Sequence, residues 1–234
     1  MIVVLFIISL VFALPLALYA PDPESLSAVS KPSLKSRIRS SAATLAIGLG
    51  LILVAAATFA ENHQIDPDIV TVFALSRQGI FEAGFVFELL TSSLLHINYF
   101  HLAGNLSVLL LLSPYERRVG WRRFTAVFFA TSMAASLGEL LWLPPQTAAM
   151  GASAGLCGLT AAYFLDYDEM TLSHWIKGLM LVLFIVGLYS YLGPNHRDLP
   201  AGTGDPIAHL VGACFGAAYV FFFPARAVSR RQPV

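Results

Sequence analysis

Apolar residues along this chain fall in long, nearly unbroken stretches rather than at the spacing of an amphipathic soluble helix or strand. Seven such stretches lie at about 1–20, 43–60, 94–113, 124–143, 149–165, 175–192 and 206–223. Each is near the length of roughly 20 residues that a helix needs to cross the hydrocarbon of a bilayer. Polar or Pro/Gly-marked connections separate them, among them PDPESLSAVSKPSLKSRIRSS, YERRVGWRR, LPPQ, DYDEM and GPNHRDLPAGTGDP. The pattern predicts an all-α membrane protein of seven spans. The first stretch lacks a basic residue near its start and exceeds the usual apolar core of a signal peptide, so a retained helix is expected. The long connection 61–93 contains ALSRQGIFEAGFVFELL, which is amphipathic and is expected to lie in the interface rather than to cross.

Composition agrees with the pattern. The chain is 57% hydrophobic and 12% charged, and the charged share is about half that of a soluble domain. Net charge is zero, so no global basic field invites nucleic acid. Cys157 and Cys214 are too few for a disulfide framework and fit no zinc spacing. No metal or cofactor is expected.

The distribution of charge orients the chain. Twelve basic residues fall in the connections after stretches one, three and five and in the C-terminal tail, whereas only Arg77 and Arg197 fall on the other side. Basic residues near helix ends stay in the cytoplasm. The N-terminus and the loops 61–93, 144–148 and 193–205 are therefore expected outside, and the C-terminus inside. The multi-pass topology fits a bacterial inner membrane.

Polar groups within membrane helices are expensive and mark functional sites by default. They concentrate in three stretches. The third reads LLHINYFHLAGNLSVLLLL, where His101 and Asn105 share one helix face and His96 lies on another. The fifth opens MGASAGLCGL, with Ser153 in a G-x-S-x-G pattern between Gly151 and Gly155. The seventh reads GDPIAHLVGACFGAAYVFFF, with His209 ahead of Gly212 and Gly216. Each has a plain structural reading: buried hydrogen bonds between helices, or small residues that let backbones approach. G-x-S-x-G also marks the nucleophile elbow of soluble α/β-hydrolases, but PPQTAAM is a poor strand and the apolar helices leave no room for a sheet. Depth favours a functional reading. All three stretches enter from the outer side, and at about 1.5 Å per residue His101, Ser153 and His209 reach a similar level. A nucleophile, a base and a donor at one level form an active-site constellation.

These residues resemble the rhomboid family of intramembrane serine proteases. The resemblance spans about 43–224 and rests on four motifs in order. They are H-x4-H-x3-N at His96, His101 and Asn105; the turn Glu116 to Gly120; G-A-S at Ser153; and A-H-x2-G-x3-G from Ala208 to Gly216. It implies a six-helix protease core at 43–224, an extra helix at 1–20, a cytoplasmic linker at 21–42 and a cytoplasmic tail at 225–234. It implies that 61–93 is the membrane-embedded hairpin loop of that fold. It further implies a Ser153–His209 dyad with an oxyanion site built from His101, Asn105 and the Ser153 backbone N–H beside Gly151, while His96 supports the outer loop. The substrate would be a membrane-spanning segment of another protein, weakened as a helix near the cut. Three positions depart from the family pattern. Glu88 stands where arginine is usual, Cys157 where an aromatic residue often stacks on the base, and Ala154 where glycine is common. Asp205 is expected at a helix N-terminus, and Glu139 is expected to reach the headgroups.

The competing class is a catalytically inactive rhomboid-like adaptor or chaperone that binds membrane helices. It would lack the serine or the histidine, and both are present. A transporter would need a polar path across the midplane, and the inner halves of these helices are almost wholly apolar.

Overall fold

A computed structural model describes residues 33–60, 64–166 and 206–224. The first and sixth apolar stretches, loop 193–205 with Asp205, and the tail 225–234 lie outside the described residues. Helices α1 (Leu34–Ser40), α2 (Ala42–Thr58), α3 (Pro67–Phe73), α4 (Glu88–Thr91) and α5 (Tyr99–Leu111) come first. They are followed by α6 (Ser113–Val119), α7 (Trp121–Glu139), α8 (Ser153–Leu165) and α9 (Pro206–Phe222). Five expected stretches thus correspond to α2, α5, α7, α8 and α9. The third is shorter than expected. Asn98 is extended and caps α5 by accepting the His101 N–H, so α5 cannot continue back through it.

Loop 61–93 contains no long helix among its described residues. Besides α3 and α4 it holds a π-helical turn, Gly79–Ala83, which leads into α4, and a 3-10 turn follows at Ser92–Leu94. A two-residue strand β1 (Leu75–Ser76) pairs antiparallel with β2 (Ala148–Ala149). The segment PPQTAAM, read from sequence as a poor strand, therefore does contribute a strand. It is a bridge of two residues, too short to begin a sheet.

Around an apolar core, the described residues also expose large apolar side chains and bury polar ones. Leu49, Leu53, Leu137, Leu210, Phe221 and Phe222 are exposed, whereas Asn105, Thr131, Ser132, Ser136 and Glu139 are buried. Such a surface fits an all-α membrane protein. Among the described residues no single helix is both long and apolar enough to cross a membrane, and α1 with α2 reach the length only as a pair bent by 69°. The count of seven spans is thus an expectation of the sequence alone.

The interior core joins α2, α5, α6, α7 and α8 through Leu51, Leu106, Leu109, Tyr115, Phe124, Phe128 and Leu159. Two polar clamps fasten the end of it that lies away from Ser153. Glu116 accepts the N–H groups of Ala43 and Thr44 and the Thr44 hydroxyl at 2.7–2.8 Å, satisfying orphan donors at the start of α2. Arg123 on α7 pairs with Asp166 after α8 at 2.9 Å and also donates to the Phe223 carbonyl after α9. Tyr115 donates to the same Asp166 at 2.6 Å. Burial, and then this carboxylate, push the Tyr115 phenol above its usual range.

Small residues determine how closely α8 meets its neighbours. A side chain on Gly212 would overlap the Ala154 carbonyl, and one on Gly216 would overlap the backbone of Gly158. On the other side of α8, a side chain on Gly158 would strike Thr131 of α7. The G-x-x-x-G spacing of Gly212 and Gly216 in α9 thus corresponds to backbone-to-backbone contact, met on α8 by Ala154 and Gly158 rather than by Gly151 and Gly155.

Candidate active site

Close approach of α8 and α9 carries two side chains into contact. Ser153 is the first residue of α8 and His209 lies in the first turns of α9. His209 Nε2 is 2.7 Å from Ser153 Oγ. This is the distance at which an imidazole can take a hydroxyl proton.

Gly151 shapes the approach to the serine. Its φ of 132° lies where side chains are strained. A Cβ there would sit 2.6 Å from His101 Cε1 and 3.7 Å from Ser153 Oγ. The missing side chain therefore leaves a gap bordered by the His101 ring and the serine hydroxyl. The Ser153 N–H opens the helix and has no partner one turn earlier within it. The helix N-terminus also favours a developing negative charge.

His96 and Asn105 meet behind His101. Asn105 Nδ2 donates to His96 Nε2 at 2.9 Å, and His96 Nδ1 faces the Leu94 carbonyl at 3.3 Å. This arrangement requires the Nδ1–H tautomer of His96. The rings of His96 and His101 meet edge to face at 5.1 Å. The sequence placed His96 and Asn105 on different faces. The extended segment before α5 instead folds His96 back against Asn105. One hydrogen of the Asn105 amide is engaged there, and the amide carries a second.

A small cavity of about 30 Å³ opens beside the dyad. That volume accommodates about two waters. Ser92, Ser93, Ser132, Ser136 and Glu139 line it together with Gly151, Ser153 and His209. Glu139 was expected at the headgroups; it is buried and faces this cavity instead. The signal was present in the sequence: Ser132, Ser136 and Glu139 lie at i, i+4 and i+7, a polar stripe along α7. Ser92 and Ser93 left no such trace, because the backbone of the loop brings them in. The Gly151 N–H donates to the Ser92 carbonyl at 2.9 Å. Cys157 lies one turn along α8 from Ser153 and is half-buried. No group of three or more His, Cys, Asp or Glu side chains that could hold a metal occurs among the described residues.

Two comparisons bear on this arrangement. A family model described as Rhomboid domain matches residues 83–226, from the loop before α4 to just past α9. The protein named "Putative rhomboid protease YdcA" of Bacillus subtilis (strain 168) is 28% identical over 133 residues. That match covers 55% of this chain and 63% of the relative, so the chain spans less than two thirds of that protein's length.

Proposed function

The chain belongs to the rhomboid family, and on that premise we propose that it is an intramembrane serine endopeptidase using Ser153 and His209. The observation that carries this reading is the 2.7 Å contact between Ser153 Oγ and His209 Nε2 beside a polar cavity. His209 takes the Ser153 proton as the oxygen attacks a peptide carbonyl, forming the Oγ–C bond. The imidazolium then gives that proton to the leaving amine as the C–N bond breaks. A water from the cavity then attacks the acyl carbon while His209 takes its proton, and the imidazolium returns that proton to Ser153 Oγ as the Oγ–C bond breaks and the new carboxyl group leaves.

The oxyanion of each tetrahedral intermediate would meet the Ser153 N–H, His101 across Gly151, and the second hydrogen of the Asn105 amide. One such donor contributes about 3 kcal/mol to the transition state. His96 holds Asn105 in orientation. Glu139 and the serines of α7 keep water near the acyl-enzyme within an otherwise apolar bundle. The substrate is a membrane-spanning segment of another protein. A helix hides its carbonyls in hydrogen bonds, so the cut segment must unwind locally, and the small cavity favours a small side chain at the cut.

Labelling by a fluorophosphonate tests the reading. Wild-type protein in membranes should be labelled and Ser153→Ala should not. Persistent labelling of the variant removes Ser153 as nucleophile. A wild type that is never labelled and cuts no model transmembrane substrate points instead to an adaptor that binds membrane helices.

A further inference from the structure

Glu88 opens α4, and its side chain is completely buried. Its Oε2 accepts the Ser76 N–H at 2.9 Å and the Ser76 hydroxyl at 3.3 Å. The Ser76 hydroxyl in turn accepts the Gly79 N–H at 2.8 Å. Oε1 has no hydrogen-bond partner among the described residues. It fills the space that a side chain on Gly79 would occupy. A carboxyl group is costly to bury in this way, so the loop is organised around it.

Ser76 is not an arbitrary anchor. It is the β1 residue paired with Ala148 of β2. Only Ala149 and Met150 separate Ala148 from Gly151, and Ser153 follows two residues later. A second tie runs the same way. Glu88 opens α4, which leads directly to Ser92, whose carbonyl accepts the Gly151 N–H. The carboxyl group therefore stands where the loop's two attachments to the serine's strand diverge.

We propose that Glu88 is a positioning residue for the cleavage reaction: by holding Ser76 it fixes β1 against β2 and so fixes the segment that delivers Gly151 and Ser153. The role rests on the protease reading above. It requires an acceptor oxygen of the right length and no negative charge. Glutamine therefore supplies it, whereas alanine and the family's arginine do not.

The test uses the full chain in liposomes. Fluorophosphonate labelling rate, kcat and KM on a model transmembrane substrate, and melting temperature are measured for wild type, Glu88→Gln, Glu88→Ala and Ser76→Ala. Glu88→Ala should label about ten-fold more slowly and lose kcat with KM unchanged, as expected when geometry at the reacting atom is disturbed. Glu88→Gln should restore labelling to within about two-fold of wild type. Ser76→Ala keeps the backbone bond and loses the hydroxyl bridge, so it should label about three-fold more slowly. That variant decides the matter if Glu88→Ala does not fold. Wild-type rates in Glu88→Ala or Ser76→Ala, or a Glu88→Gln as slow as Glu88→Ala, overturn the proposal. An unlabelled wild type defeats the protease reading and this proposal with it. A labelled wild type with unaffected variants defeats this proposal alone.

Discussion

Gly212 of α9 lies directly against the carbonyl of Ala154 on α8, with no room for even a methyl group between them. Ala154 follows Ser153, and Gly212 is three residues beyond His209. The helix contact and the Ser153–His209 contact are therefore one geometric fact. Gly212→Ala should push the helices apart and slow fluorophosphonate labelling by more than about ten-fold. Gly50→Ala on α2 is the control, because nothing among the described residues lies within 4 Å of its new methyl group. It should leave labelling unchanged and raise stability by about 0.5 kcal/mol in thermal unfolding.

Gly151→Ala should damage chemistry more than binding. Its φ of 132° strains any side chain, and the methyl group would press into the His101 ring. Steady-state kinetics should show kcat lower by about a hundred-fold, with KM within about two-fold. A rise in KM with kcat preserved would place Gly151 in substrate binding instead.

Asn105 and His96 form one hydrogen bond but should separate in experiment. Asn105→Ala removes a proposed oxyanion donor, so kcat should fall by about a hundred-fold at constant KM. His96→Ala leaves the Asn105 amide buried without its partner. It should lower unfolding stability by about 1–3 kcal/mol and reduce kcat by less.

The Arg123–Asp166 clamp should matter to stability alone. The Asp166 side chain is 2% exposed and that of Arg123 is 15% exposed. Asp166→Asn leaves a partly buried guanidinium without its carboxylate and should cost about 3 kcal/mol in thermal unfolding. Labelling of Ser153, at the opposite end of α8, should not change.

Glu88 should give the loop a pH dependence of definite sign. Burial raises its pKa, opposed by the two Ser76 hydrogen bonds. An acid whose folded-state pKa is raised holds its proton more tightly when folded. Its contribution is most favourable below the ordinary carboxylate range and is lost as pH rises through the raised value. The charged residues on the neighbouring elements are Arg77, Glu82, Asp66, Asp68 and Glu139. Arg77 donates to the Leu140 carbonyl and lies over the Phe81 ring. Melting temperature should fall with rising pH more steeply in wild type than in Glu88→Gln, which cannot ionise. Parallel curves would show that Glu88 does not titrate in this range.

Ser153 and His209 were legible in the sequence because each sits among the small residues that let its helix approach the other. The stretches behind α2, α5, α7, α8 and α9 were legible because apolar length needs no tertiary context. The Ser76–Ala148 pairing was not, since two residues with no alternation leave no period to read. The bond from Asn105 to His96 was not, because it depends on an extended turn rather than on helical spacing. Glu139 was misread for a related reason. A carboxylate near a helix end suits the headgroups and a polar cavity equally, and only the neighbouring helices decide which it meets.

The seam between α8 and α9 is made of residues with almost no rotamers. Gly158, Gly212, Gly216 and Ala154 have no side-chain freedom to gain as the protein warms. Warming can loosen Leu and Phe side chains elsewhere in the bundle while the backbone spacing between these two helices stays fixed. That spacing changes only when the helices part as whole bodies. Heat should therefore abolish activity in a single step, with no gradual decline before it.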